Sequence, residues 1–445
     1  MKASSRIARL LAVFSGVKII IILCSLIRNK IIAVLVGPAG IGLIGLYNNM
    51  IDLVSQTSRL SMDQSAQRDL SQSSSARADA TITVVRRWAL WLGTIGTVLT
   101  CLLSPLLSMI SFHGDLSHWP VFCLLSAVPF CYTFFCCVNA ENQGLRRFRA
   151  VALSTLFGNV ISLIVVIPVI FFLRLRSIAW VITIYAVIMA LVTYFFRPRI
   201  NQVIMSGKEV FERGKSFIKT GAQITVAMTI TYATAYVFTL FINWYASTNV
   251  LGYYQAGFQI MNSYVGIIFT VLWMEYYPRL SANAHSPRRL SLFASHQTRL
   301  ILTVLTPMLC LLIMFCDIAV RIIYSSQFLD ITPYIALACV GVVLKTNSSC
   351  MAYVILARGD GRTYMFTEIF SSLFGLAVNT AGFFFGGFIG LGAAYIVWYG
   401  FYTVLVAVIC RRRYGVRFTP NTWLITFAAF ALTLLVATIR LFMPF

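Results

Sequence analysis

Long apolar runs, separated by short basic connections, account for nearly the whole chain. Runs at or beyond the ~18 residues that a helix needs to cross a hydrocarbon core recur from end to end. The pattern predicts helices at 8–35, 42–61, 87–110, 119–140, 150–173, 177–196, 218–244, 252–275, 299–318, 332–356, 363–385, 389–410 and 421–441. The ~10-residue alternating segments of a membrane barrel are absent. In lipid every backbone polar group must be satisfied internally, which a helix does within one segment. The expected fold is an all-α polytopic membrane protein.

Two stretches, Asp63–Arg86 and Arg197–Lys219, are polar and long enough to carry short helices outside the membrane. No region outside the membrane is large enough for a catalytic domain. The start, MKASSRIARL, resembles the basic region of a signal peptide, but the apolar run after it is long and lacks a small-residue cleavage site. It reads as a retained first helix.

Composition agrees: 59% of the 445 residues are hydrophobic, mean hydropathy is +0.84, and only 11% are charged, against about 25% in soluble domains. The net charge of +22 raises nucleic acid as a partner, and its distribution excludes it. Lys and Arg gather in alternate connections: Arg68, Arg77, Arg86 and Arg87, then Arg146, Arg147 and Arg149, then Arg197 to Lys219, and later Arg411, Arg412 and Arg413. The opposite side keeps little beyond Arg174, Arg176 and Arg321. Positive-inside topology therefore places the N-terminus in the cytoplasm. The eleven Cys show no CxxC and no His partners, so neither a disulfide nor a metal site is assigned.

The halves repeat. GPAGIGLIGLYNN (Gly42) answers TNVLGYYQAGFQI (Gly252), LLSPLL (Pro105) answers VLTPML (Pro307), WPVFCLL (Pro120) answers TPYIALA (Pro333), and STLFGNVISL (Gly158) answers SSLFGLAVNT (Gly375). Four matches in chain order imply a six-plus-six repeat about an axis along the membrane normal, with a site between the halves. The expected organisation is a first bundle over 1–200, a cytoplasmic linker over 201–217, a second bundle over 218–412 and an extra helix within 413–445.

Ionisable residues inside such helices are costly, about 2.5–3.5 kcal/mol at the bilayer centre on insertion scales, and usually face a bundle interior or wet cavity. Lys345 stands alone in Pro333–Leu356; Lys18 and Arg28 lie in the first segment. Asn48, Asp52, Ser55, Gln56, Arg59 and Asp63 form a polar stripe at three- and four-residue spacing on the second. Gln255, Gln259, Asn262, Ser263, Gly266 and Thr270 repeat it on the eighth. Such stripes suit a central cavity, and the cations Lys18, Arg28, Arg59 and Lys345 are candidate contacts for an anion. The bland alternatives are an Arg59–Asp63 pair one turn apart, a Lys30 that snorkels to the headgroups, and a Lys345 that pairs with Asp52 or Asp317. Asp52 is the candidate for H+ or Na+ coupling; Asp317, Glu275 and Glu368 lie near segment ends, where placement costs little. No cofactor is called for. The four His residues pair with no nucleophile, and no GxxxxGK[ST] loop is present.

The stretch SGVKIIIILCSLIRNKIIAVLVGPAGIGLIGLYNNMIDLVSQ, with the SAQRDLSQ that follows, resembles the opening of bacterial polysaccharide flippases, the O-antigen translocases of the multidrug/oligosaccharidyl-lipid/polysaccharide exporter superfamily. The matching features are the Lys18 helix, Arg28, the Gly37-Pro38-Ala39-Gly40 turn and the helix start at Gly42–Asn49. The resemblance implies a 12-helix core of two six-helix bundles around a V-shaped cavity, here with a thirteenth helix. It implies an undecaprenyl-diphosphate-linked oligosaccharide as substrate, moved by alternating access, with Arg28 in the place of a cavity-lining cation. Other polysaccharide assembly proteins are candidate partners. The chain departs from the family's apolar end of the second helix by reading SRLSMDQ. The competing readings are a multidrug or cation-coupled exporter of the same superfamily and a membrane glycosyltransferase or polymerase. The latter would call for large outer loops with paired carboxylates.

Overall fold

The computed structural model describes residues 2–72, 75–200, 203–266, 269, 276–277 and 279–442. Thr270 and Glu275 lie outside them. All regular structure among the described residues is helical. The helices follow the apolar runs: Lys2–Leu35, Pro38–Arg59, Ser75–Leu102, Trp119–Leu125 with Ala127–Gly144, Phe148–Leu173, Ser177–Phe195, Gly207–Tyr245, Thr248–Gln259, Pro287–Met314, Thr332–Ala357, Gly361–Tyr414 and Pro420–Phe442. The fold is a 12-helix core with a thirteenth helix at its C-terminal end.

Proline and glycine set the breaks. Ser104–Ser111 leaves Ser75–Leu102 at 58°, with Pro105 in its first turn, where a missing N–H removes no hydrogen bond. The repeat partner Pro307 instead lies inside the unbroken Pro287–Met314. Pro120 and Pro333 both open their helices. Gly387, at φ 54° and ψ −136°, divides Gly361–Tyr414 into the two expected segments, a conformation that glycine adopts without a Cβ clash.

The first polar stretch forms Met62–Gln72. The second does not make a separate helix. Ser206 caps Gly207–Tyr245 in a capping box: Glu209 N–H donates to Ser206 Oγ at 3.3 Å, and the Glu209 carboxylate accepts from Ser206 N–H at 3.2 Å. The helix then runs 39 residues without interruption into the seventh apolar segment.

The chain forms two compact units, Met1–Asn249 and Val250–Phe445. The seventh helix, Gly207–Tyr245, lies in the first of these units. Within the first unit, Gly207–Tyr245 packs on Pro38–Arg59, Met62–Gln72 and Ser75–Leu102. Polar contacts tie it there: Asn49 Nδ2 donates to Thr239 Oγ1 at 2.6 Å, Thr225 Oγ1 to Ser61 Oγ at 2.9 Å, and Ser65 Oγ to Phe217 O at 3.0 Å. Arg174, at the far end of the fifth helix, donates to Leu35 O at 3.1 Å and closes the end of the first.

In the second unit Thr332–Ala357 is the central helix. It packs on Gly361–Tyr414, Pro287–Met314 and Pro420–Phe442, and 67% of its apolar window is buried, the largest share of any span. The thirteenth helix buries Thr422, Thr426, Ala429, Thr433, Ala437 and Arg440, spaced for one face. Thr426 Oγ1 donates to Asn347 Oδ1 at 3.2 Å, and Arg440 pairs with Asp317. That pair gives Asp317 a partner other than Lys345.

The repeated LFG sequences do equivalent work in each unit. A Cβ at Gly158 would overlap the Met189 thioether, and one at Gly375 the Trp398 indole. The fifth helix thus approaches the sixth, and the eleventh the twelfth, more closely than a larger residue permits.

Candidate functional site

Lys345 emerges from the central helix of the second unit into a polar, aromatic pocket. Its ammonium donates to Asn262 Oδ1 at 3.1 Å and to Tyr395 Oη at 3.5 Å, and lies 5.3 Å from the centre of the Tyr399 ring. Asn262 occupies a widened turn, Ile260–Tyr264, in which Val265 N–H reaches back to Ile260 O at 3.1 Å. Such turns re-aim side chains and recur at functional positions. The Tyr395 and Tyr399 rings meet at a tilt, 4.7 Å between centres, and Tyr334 and Tyr254 extend the aromatic wall at 6.5 and 6.2 Å steps. No carboxylate is among the described partners of Lys345. The cation is held by an amide oxygen, a hydroxyl and a ring face, weaker counter-groups than a carboxylate.

Arg28 is built on the same plan in the first unit. Its guanidinium lies 4.9 Å from the centre of the Tyr185 ring. Tyr185 Oη donates to Asn159 Oδ1 at 3.3 Å, and Asn159 Nδ2 donates to Thr155 O at 2.8 Å, which orients the amide. Asn159 follows Gly158 of the repeat, and Tyr185 lies one helical turn before Met189. Lys18, two to three turns earlier on the first helix, is exposed.

Arg59 has a different environment. It is buried, with Nη1 donating to Cys136 Sγ at 2.6 Å, Nη2 to Gln56 Oε1 at 2.5 Å, Nε 3.5 Å from Asp63 Oδ1, and its guanidinium 5.3 Å from the Tyr132 ring centre. The local Arg59–Asp63 pair is therefore formed, and it secures the end of the second helix just before Leu60 and Ser61 turn with positive φ. Asp52 is half-buried on the same stripe, within electrostatic range of Arg59, Tyr132 and Tyr232. Asn48 is exposed, Gln56 and Gln255 are buried, and Gln259 is half-buried.

One buried acid escaped the sequence reading. Glu141 is completely enclosed and takes Arg86 through both oxygens: Nε at 3.1 and 3.2 Å and Nη2 at 2.8 Å. Arg86 Nη2 also donates to Pro198 O at 2.8 Å. The only signal was an acid between two Asn in VNAENQG, near the basic Arg146–Arg149 run. Its tight bidentate pairing marks it as a clasp between helices. Outside the spans, Asp360 is held below the ordinary carboxylate range. Burial works against the charge, but the Thr363 N–H (3.0 Å), Tyr414 Oη (2.8 Å), Thr363 Oγ1 (2.9 Å) and Arg413 (2.9 Å) outweigh it.

Each of these two cations, Arg28 and Lys345, faces a tyrosine ring and has no carboxylate partner among the described residues, so each by itself suits contact with an anion. Residues 31–333 match the family described as polysaccharide biosynthesis protein. The chain belongs to that family. None of the curated proteins searched matches it in sequence. Its fold is similar to that of an inward-facing multidrug resistance MATE family transporter of the MOP superfamily, at 12% identity and a TM-score of 0.72, covering 90% of this chain and 98% of that one. It is also similar to lipid II flippase MurJ in an inward closed conformation, at 13% identity and 0.66, covering 96% and 98%. A third similar structure, at 13% identity and 0.56, covering 98% and 96%, is a MOP superfamily transporter from Pyrococcus furiosus Vc1 whose binding pocket is described as reversed in polarity. This polysaccharide biosynthesis family member is thus a multi-pass membrane protein with a transporter fold.

Proposed function

We propose that the chain is a flippase that moves an undecaprenyl-diphosphate-linked oligosaccharide, an O-antigen or other surface-polysaccharide repeat unit, from the inner to the outer leaflet of a bacterial inner membrane by alternating access. The observation that carries the reading is the pair of cations, Arg28 over Tyr185 and Lys345 with Asn262, Tyr395 and Tyr399. A diphosphate offers the charge-assisted partners that these groups lack, bidentate for a guanidinium and point-like for an ammonium. Tyrosine faces beside them suit the apolar faces of sugar rings. Membership of a polysaccharide biosynthesis family and the likeness to a lipid II flippase support a lipid-linked glycan as cargo. A cationic drug would meet like charge at both positions.

The test is reconstitution of the full chain into vesicles carrying a fluorescent undecaprenyl-diphosphate oligosaccharide, with leaflet exchange followed by quenching from outside. The expected result is exchange that depends on the protein and is lost in the Arg28→Ala, Lys345→Ala double variant. Export of cationic dyes with no glycolipid exchange would replace this reading by the multidrug one.

A further inference from the structure

Glu368 is a half-buried acid that the cation sites do not use. It lies two turns into Gly361–Tyr414 and accepts a hydrogen bond from Tyr402 Oη at 2.5 Å. The titratable groups that interact with it are Tyr353 from the Lys345 helix, Tyr364 on its own helix and Tyr402 from the segment after Gly387. None carries a positive charge. Among the described residues, four other acids have a guanidinium near them: Glu141 has Arg86, Asp63 has Arg59, Asp317 has Arg440, and Asp52 lies within range of Arg59. Among the described residues Glu368 has no ion-pair partner.

The surroundings connect this carboxyl to the cation site. Tyr402 follows Tyr399 by three residues, so the ring under Lys345 and the hydroxyl on Glu368 neighbour one another on one helix face. Tyr353 lies about two turns from Lys345 on the central helix. The two helices outside its own segment whose tyrosines interact with Glu368 therefore also carry Lys345 and the Tyr399 ring beside it.

We infer that Glu368 is a proton-carrying carboxyl of the transport cycle, taking up and releasing one proton beside Tyr402 and biasing the Lys345 pocket as its charge changes. An intramembrane carboxyl without a cation changes its interaction with its surroundings strongly when it gains or loses a proton, the property used by proton relays. No other reactant is needed, because the proton comes from water and returns to it. The inference rests on the flippase reading for its role in transport, but not for the protonation itself.

Two measurements on the full chain separate these parts. Infrared difference spectra between acid and alkaline buffer, without substrate, should show a carboxylic-acid C=O band that disappears in Glu368→Gln and shifts its midpoint in Tyr402→Phe. Vesicles with the fluorescent glycolipid should show a flipping rate that responds to a pH gradient, with that response reduced at least tenfold in Glu368→Gln. Gln keeps the acceptor for Tyr402, so folding is retained, and Tyr402→Phe checks the site where Gln is misfolded. Loss of the band together with a wild-type gradient response overturns the coupling. A spectrum identical in wild type and Glu368→Gln overturns the protonation. If the wild type moves no glycolipid, the flippase reading fails, and the infrared band alone then supports or overturns Glu368 as a proton site.

Discussion

Lys345→Met should separate function from folding. Methionine keeps the length and flexibility of the lysine stem but not its charge. The folded protein loses a hydrogen bond from a charged donor to Asn262 at 3.1 Å, a contact with Tyr395 at 3.5 Å, and a cation–ring contact with Tyr399 at 5.3 Å. A charged hydrogen bond contributes about 1.5–3 kcal/mol and an exposed-to-intermediate cation–ring contact about 0.5–1 kcal/mol. Against this, removing the ammonium recovers the ~2.5–3.5 kcal/mol cost of a charge at membrane depth. The two sides nearly cancel, so stability should change by less than about 1 kcal/mol. Substrate binding has no such compensation. Loss of a charge-assisted contact to phosphate weakens it by about 1.5–3 kcal/mol, on the order of ten- to 150-fold. Thermal unfolding of the purified protein and flipping rate against glycolipid concentration read the two quantities separately. A variant that unfolds much earlier but flips normally per folded molecule would show that Lys345 braces the bundle and binds nothing.

Gly375→Ala should destabilise by about 1–3 kcal/mol, because the new methyl meets a rigid indole, whereas Gly158→Ala should cost less because Met189 can move aside. Comparing the two thermal midpoints tests whether the repeated LFG is a packing motif. Asp360→Ala should cost about 1 kcal/mol through the lost cap of the helix starting at Gly361. Since the folded carboxyl titrates below its unfolded value, this stabilisation is present above the unfolded value of about 3.9 and is lost as pH falls through the folded one. The gap between wild type and Asp360→Asn in thermal midpoint should therefore close in strong acid; a gap that stays constant would refute the charge argument.

The chain itself determined the helices, because runs of apolar residues in lipid have no other way to satisfy their backbone. It also determined the break near Gly387 and the Gly158 and Gly375 correspondence, whereas the bend before Pro105 interrupts the single helix read over 87–110, and the matching Pro307 leaves its helix whole. Side-chain pairing was decided only by tertiary structure. Arg59 and Arg28 look alike as cations among apolar residues, yet one is enclosed with Asp63, Gln56 and Cys136 while the other faces Tyr185. Glu368 reads as an acid near a helix end, and only packing brings the Tyr402 hydroxyl onto it and Tyr353 within electrostatic range. The partners that settle each charge lie 50 to 139 residues away for Tyr395, Asn262 and Leu35. Periodicity fixes which face of a helix is polar; which neighbour meets that face is set by how the helices pack.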